Sequence, residues 1–453
     1  MKTLTNLLII ALSASFMFTS CKKDDPKPEV PIIEEEQNQD PPSSNLSPTE
    51  NKANLEQAGI DFVNALDDLM ESDAITAAES LGNITNTAKS GTVKLALVDA
   101  IANIDNGGYG DEMKSFLQTG SIREDITDVA GIYTWNPDLQ DFEETYTDLL
   151  MVKFIYPYEG SSTNDCELTF SCELVDINDQ YLETPEAPSN ITATLVAKGN
   201  EVVEYEFTAT YNSDGIPSSV SSSLTIDNMY TWAHTASQST TAISYNFSFT
   251  KSSTILMNSG FDVTGNFVTE EIDDYVTRLD SMDVYEKGVI TEAGSYVQNV
   301  SMHYQIMNIK LVQSANATRL AAGLDNLAEQ EENETISEDE FDQQMVSLLN
   351  SNVDLYLMYV QENKKLADAE LYIKVVEEEY YDSWTDQMVT EEHNEVAVRF
   401  MFGPDSSPVD AEVYFQEGFD DLETEMTNMM DRMEALLAAY EIDTTQEEEP
   451  IYY

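Results

Sequence analysis

Ile191-Thr192-Ala193-Thr194-Leu195-Val196-Ala197-Lys198-Gly199-Asn200-Glu201-Val202-Val203-Glu204-Tyr205-Glu206-Phe207-Thr208-Ala209-Thr210-Tyr211 is the stretch that decides the fold class. Apolar residues stand at Ile191, Ala193, Leu195 and Ala197, and again at Val203, Tyr205, Phe207, Ala209 and Tyr211, with Thr and Glu between many of them. A period of two sends successive side chains to opposite faces of an extended chain, so each run reads as a strand with one packed and one wet face. A Gly199-Asn200 turn joins them, and the pair is an expected antiparallel hairpin.

The alternation extends both ways. Upstream, Ile132-Tyr133-Thr134-Trp135, the turn residues Asn136-Pro137-Asp138 and the run Phe142 to Tyr146 read as a second hairpin, and Leu149–Tyr156 and Cys166–Val175 continue as strands. Downstream, strands near 218–226, 229–235, 242–250 and 261–268 complete a meander. Val297 to Val312 fits one long strand or, nearly as well, a helix; the strand is preferred. Two hairpins close the pattern. One pairs 353–361 with 366–376 and turns Ala367, Ala369, Leu371, Ile373 and Val375 inward. The other runs through Val396, Val398, Phe400 and Phe402, turns at Gly403-Pro404-Asp405, and returns through Val409, Ala411, Val413 and Phe415.

Helices are expected where the period lengthens. Ser47-Pro48-Thr49-Glu50 is a capping box with proline at the first helical position, followed by Leu55, Ala58, Phe62, Leu66 and Leu69. Others are expected near 73–81, 91–104, 111–118, 269–282, 315–330 and 338–350, and from Phe419 to Tyr440. In the last, Phe419, Leu422, Met426, Met429, Met433, Leu436 and Tyr440 recur at threes and fours, widened by Met430 and Leu437. That seam serves either packing on the chain's own sheet or self-association through helix 419–440. The expected class is α+β: mainly antiparallel β-meander sheets with flanking helices, an N-terminal helical region and a C-terminal amphipathic helix. The regions in order are a leader (1–20), a Pro- and acid-rich flexible tether (21–47), a helical region (48–128), a β-meander region (129–282), an α+β region with two hairpins and the C-terminal helix (283–440), and an acidic tail (441–453).

The leader carries an address. Lys2 precedes an apolar run that opens Leu7-Leu8-Ile9-Ile10-Ala11-Leu12 and ends in Phe18-Thr19-Ser20-Cys21. Small residues just before a cysteine suit lipoprotein processing, in which the Cys21 thiol takes a diacylglyceryl group and the new N-terminus an acyl chain such as palmitate. Two or more chains anchor stably, at about 0.8 kcal/mol per buried methylene. Phe18 stands where many bacteria carry leucine. Lys22-Lys23-Asp24-Asp25 resembles the short export signal that sends lipoproteins of Bacteroidota to the outer face of the outer membrane. The ordering of the body also resembles a group of Bacteroidota outer-membrane lipoproteins, a resemblance that implies location but no activity. In outline, meandering strands with helices to one side resemble half-barrel folds that carry lipids in the bacterial envelope. Asp443-Thr444-Thr445 in the tail resembles the acceptor for O-glycosylation of exported Bacteroidota proteins, which makes Thr444 a candidate glycan site.

The 453 residues hold 85 Asp and Glu against 21 Lys and Arg, for a net charge of −64. Such a chain repels nucleic-acid phosphates and anionic headgroups, and leaves cations, basic proteins and glycans as partners. The chemistry-bearing residues are sparse. His234, His303 and His393 show no metal-ligand spacing, and His393 follows Glu391-Glu392 in an expected polar connection. Cys166 and Cys172 share one strand face, about 20 Å apart if the strand is continuous, and read as two buried thiols. No nucleophile elbow or phosphate loop occurs, and Gly107-Gly108-Tyr109-Gly110 reads as a turn between helices. Asn103, Asp105, Asn106, Asp111 and Glu112 crowd that turn and make the one calcium candidate, beside the plainer reading of a solvated loop.

The expectation is therefore a lipid-anchored, non-catalytic binding or interaction protein at the cell exterior, with a protein or glycan ligand and no cofactor. Two alternatives stand beside it. One is an envelope carrier with an apolar cavity lined by Tyr205, Phe207, Tyr245, Phe247 and Phe249, residues that equally suit plain core. The other is a carboxylate-dependent glycoside hydrolase, which needs two carboxylates about 5–9 Å apart in a cleft.

Overall fold

The computed structural model describes residues 41–70, 72–87, 130–147, 149–177, 186–213, 215–268, 294–382, 387–403, 407–416 and 418–439. Helix α1 (Pro48–Met70) starts at the expected box: the Ser47 N–H donates to Glu50 Oε2 at 2.8 Å, and the Glu50 N–H donates to Ser47 Oγ at 3.3 Å. Helix α2 (Asp73–Thr87) follows. The helices expected at 91–104, 111–118 and 269–282 lie outside the described residues.

Strands β1 (Gly131–Asn136), β2 (Asp141–Thr145), β3 (Met151–Pro157), β4 (Asn164–Asp176), β5 (Glu186–Ala197) and β6 (Asn200–Tyr211) open the sheet. Then come β7 (Pro217–Ile226), β8 (Tyr230–Gln238), β9 (Ala242–Lys251), β10 (Thr254–Gly265), β11 (Val297–Ile306) and β12 (Ile309–Asn316). A helical hairpin, α3 (Ala317–Glu332) and α4 (Glu338–Asn352), precedes β13 (Val353–Tyr359), β14 (Lys364–Asp382), β15 (Gln387–Phe402) and β16 (Ser407–Asp410). Helices α5 (Ala411–Gln416) and α6 (Asp420–Ala439) end the described chain. These sixteen strands form one hydrogen-bonded order, sequential from β3 to β16, with β1 beside β3 and β2 at the edge. Among the strand pairs whose register is described only β1–β3 is parallel, and an isolated parallel bridge joins Ser43 to Lys365. The fold is thus a large, mostly antiparallel sheet with a few helices, compatible with α+β but dominated by the sheet.

Several local expectations need correction. The turn of the deciding hairpin is Lys198-Gly199, both at positive φ (52° and 81°), and Asn200 already pairs with Ala197. Glycine takes that backbone without strain, and one lysine tolerates it because the twist of a two-residue turn then matches the strands. Val297–Val312 is not one strand: it folds back at Met307-Asn308, with Met307 at φ 52°. The turn lacks glycine and proline, and is held instead by side chains. Gln305 Nε2 donates to the Met307 carbonyl at 2.7 Å, and Asn308 Oδ1 accepts the Gln361 N–H at 2.8 Å. Strand β10 begins at Thr254, seven residues before the expected 261. The second C-terminal hairpin is cut short. Asp410 Oδ1 accepts the Val413 N–H at 3.1 Å, a helix N-cap, so Ala411, Val413 and Phe415 lie in α5 rather than a strand. His393 lies in β15 opposite Val376, not in a connection.

The inward set on β14 also changes. Leu357 pairs with Ala367 but Met358 with Lys365, so Leu366 is an extra residue in a bulge, and both Leu366 and Ala367 are buried. Val375, at the other end of that run, is 62% exposed. Finally, the stretch read as free tether is bound from Pro42 onward. Strand β15 ends opposite Ala367, two residues short of Lys365. The Lys365 N–H donates to the Pro42 carbonyl at 3.0 Å, and the Ser44 N–H to the Lys365 carbonyl at 2.6 Å. Backbone groups left over at a strand end were satisfied by the incoming chain, which a composition argument cannot see.

The described residues gather into two compact units, with boundaries at Ala58/Gly59, Thr235/Ala236, Asn246/Phe247, Leu256/Met257 and Asp420/Asp421. In the unit holding β1 to β7, Ala74 and Ala77 of α2 pack against Val152, Phe154, Tyr156, Cys166 and Leu195. The Tyr156 hydroxyl donates to the Ala77 carbonyl at 3.0 Å, satisfying the one polar atom of a fully buried ring. In the unit holding β11 to β16, Ile309, Leu357, Leu366, Phe400, Phe402 and Tyr414 form the core, with Leu46, Leu55 and Ala58 against it. Burying each such side chain contributes about 1.5–3 kcal/mol.

Candidate functional site

The second unit presents a cleft of about 320 Å³, open to solvent, where polar side chains converge from six elements. Its floor follows from strand register. Asp262 of β10 pairs with Ser301 of β11, Ser301 with Ser314 of β12, and Ser314 with Asp354 of β13. One step along, Thr264 pairs with Asn299 and Asn299 with Asn316. Residues two apart on a strand share a face, so these are two adjacent rows of hydroxyl, carboxamide and carboxylate groups on one face. Asn299 Nδ2 donates to Thr264 Oγ1 at 3.2 Å, and Ser314 Oγ to Asp354 Oδ2 at 3.4 Å.

Helix α3 rises at one end of the cleft. Asn316 Oδ1 accepts the Arg319 N–H at 2.9 Å and caps the helix, which fixes Arg319 in the first turn. The exposed Arg319 guanidinium makes no hydrogen bond or ion pair with the described residues. Ser351 and Asn352 close the other side from the end of α4, each bonded back to its own helix, at Ser347 and Leu348. Strands lie about 4.8 Å apart, so Asp262 and Asp354, three strand spacings apart, are separated by about 14 Å at the backbone. A neighbouring position on the same face holds His303, whose Nε2 lies 2.6 Å from Asn258 Oδ1 and so carries the hydrogen. Burial, and then the Lys310 ammonium, hold this imidazole below its usual range, with Asp262 opposing them. Gly260 makes room for it: a Cβ there would stand 2.9 Å from His303 Cε1 and 2.8 Å from the Tyr245 carbonyl oxygen.

The first unit has a cleft of about 410 Å³ at the ends of β4, β5 and β6, with Asp176 the one acidic or basic residue among its described lining. Its Tyr211 hydroxyl is already engaged with the Pro188 carbonyl at 2.7 Å. It assembles less chemistry.

The residues singled out from sequence fall elsewhere. Cys21, Lys22, Lys23, Asp24, Asp25, the calcium candidates Asn103, Asp105, Asn106, Asp111 and Glu112, and Thr444 lie outside the described residues. Cys166 and Cys172 are buried thiols, not joined in a disulfide, and both lie in the continuous strand β4. Burial pushes the Cys166 thiol up to about 11, a weak nucleophile at neutral pH. His234 is half-buried against Phe247, ring centroids 4.8 Å apart, and burial lowers its pKa. The five aromatic residues proposed to line an apolar cavity are packed in part among themselves and neighbours. Phe249 stacks on Trp232 at 4.2 Å, and Phe207 is buried with Cys172, Ile191 and Ala209. Leu422 of α6 lies against Gly59, where a Cβ would stand 2.6 Å from Leu422 Cδ2, while Met426 and Met430 are exposed.

Sequence reasoning missed the cleft. The polar half of each alternation was legible, but aligning the rows needs the Met307-Asn308 turn and the return of β13 beside β12. Among the described residues no three His, Cys, Asp or Glu gather as metal ligands, and no helix is long and apolar enough to cross a membrane. No protein-family model, curated protein or solved structure matches the chain.

Proposed function

We propose that the chain is a lipid-anchored binding protein displayed at the cell exterior, which holds a hydroxyl-rich ligand such as a glycan in the cleft at the start of α3 without transforming it. The observation that carries this reading is the pair of polar rows bordered by Arg319, a guanidinium without an anionic partner among the described residues of a strongly acidic chain. Sugar hydroxyls both donate and accept, and a lattice of carboxamide, hydroxyl and carboxylate groups with one fixed donor fork suits them. Carboxylates about 14 Å apart at the backbone are too distant to flank one glycosidic bond, which favours binding over hydrolysis. The leader sequence ending at Cys21 supports the address.

The test screens the full mature chain on a glycan array and measures the best hit by calorimetry, against Asn299→Ala combined with Arg319→Ala. Loss of two polar contacts should weaken affinity by about 10- to 100-fold. Unchanged affinity of the double variant would remove the cleft from the proposal. Release of sugar product on prolonged incubation would replace binding by hydrolysis. In the native host, Cys21→Ser should move the protein from the detergent to the aqueous phase; partitioning that ignores the substitution would end the anchor assignment.

A further inference from the structure

Strands β14 and β15 run far past their neighbours. Strand β13 leaves β14 at Asp368, and β16 leaves β15 at Arg399, but the two continue to pair from Leu371↔Val398 out to Asp382↔Gln387. Helix α4 accompanies only the first part of this ribbon. The Leu371 N–H donates to Asn350 Oδ1 at 3.0 Å and its carbonyl accepts from Asn350 Nδ2 at 2.9 Å, so a side-chain amide imitates the missing strand. Asn394 Nδ2 reaches Asp339 Oδ1 at 2.8 Å, near the helix start. From Val376 to Asp382, about 20 Å of strand, neither edge has a strand neighbour among the described residues. The exposed Val375 and Met388 (62% and 61%) mark the root and the far end.

Isolated two-stranded ribbons are marginal in water, and open edges are usually defended by lysine, proline or bulges. This ribbon has no Pro, Lys or Arg between Val375 and Val398. It carries Glu377-Glu378-Glu379 on one strand, and Glu391-Glu392 and Glu395 on the other. The backbone register pairs glutamate positions with one another: Glu377 with Glu392, and Glu378 with Glu391. Each such pair is destabilising, by roughly 0.2–1 kcal/mol. The same charges bar pairing with a second copy of the ribbon, which would bring acid against acid. An extended segment with alternating lysine or arginine meets both needs. Its backbone satisfies a free edge, and its charges relieve the opposed carboxylates.

We propose that the distal β14–β15 ribbon is a docking edge for an extended, Lys/Arg-rich segment of a protein partner, which joins it as a third strand. The site is separate from the cleft, so the cleft variants leave it unaffected and each reading fails on its own. The probe is a labelled peptide alternating lysine with threonine and valine, titrated onto the full mature chain by fluorescence anisotropy. A peptide of equal charge with proline at every third position serves as control, because proline cannot donate to a strand ladder. We expect the proline peptide to bind at least tenfold more weakly, and hydrogen exchange to slow within 374–398 on peptide addition. Replacing Glu377, Glu378, Glu391 and Glu392 together by Gln should weaken the alternating peptide by a similar factor. Equal binding of both peptides would mean diffuse charge attraction and overturn the proposal. So would full affinity in the Gln variant, or protection appearing only elsewhere.

Discussion

At the scale of single residues, the folded chain is built around a few polar atoms that had to be matched. Asn51 is completely buried: its Nδ2 donates to the Leu46 carbonyl at 3.3 Å, and its Oδ1 accepts the Tyr359 hydroxyl at 2.7 Å. A helix start read from Ser47 and Glu50 said nothing of this partner, which lies 308 residues away in β13. The histidines give a pH signature. Burial lowers the pKa of both His234 and His303, so the folded state resists the proton that the unfolded chain accepts below about pH 6.5. Their contribution is therefore fully present above that pH and is lost progressively as pH falls below it, through the lower pKa of each folded-state imidazole. Thermal melts between pH 7.5 and 5.5 should show a declining Tm, and His234→Phe with His303→Gln should flatten the slope. An unaltered slope in the double variant would assign the effect to other groups.

At the scale of elements, the sequence signals worked where the local chemistry is self-sufficient. The capping box at Ser47 starts its helix as read, and a second box, Ser337 with Glu340, starts the helix expected near 338–350, because each closes its two hydrogen bonds within four residues. The strands of the deciding hairpin formed as read, because alternation fixes both period and face. Signals failed where an element ends for a tertiary reason. Valine and phenylalanine alternate through 409–415, yet the chain turns helical after Asp410. This carboxylate caps α5, accepts the Tyr372 hydroxyl and lies within 3.9 Å of Lys374 Nζ. The Tyr372 hydrogen bond, then the Val413 N–H, hold the Asp410 carboxyl below the usual carboxylate range. Asp410→Ala should cost about 1–2 kcal/mol through the lost cap, while Asp410→Asn, which can still accept, should recover most of it. Denaturant melts decide between them; two equally destabilised variants would show that charge, not capping, matters at that position.

At the scale of the whole molecule, charge and alternation dominate. A net charge of −64 leaves most carboxylates without a cationic partner, and repulsion among them opposes the compact state. Screening lengths fall from about 10 Å at 0.1 M salt to about 3 Å at 1 M. Raising sodium chloride through that range should therefore raise the Tm, beyond any loss at exposed ion pairs such as Lys374–Glu412. A Tm that falls with salt would show that ion pairs outweigh repulsion. The sequence by itself determined the mostly antiparallel class, most strand positions, the helix starts and the acidic surface, since these follow from side-chain period, local hydrogen bonds and composition. Only the tertiary structure decided where Pro42 and Ser44 dock, that 297–316 folds back on itself, and which polar residues meet in the cleft. The physical reason is the same in each case: strand order brings together backbone groups and side chains remote in sequence. The period-two pattern says which face a residue takes, but not which strand will lie beside it.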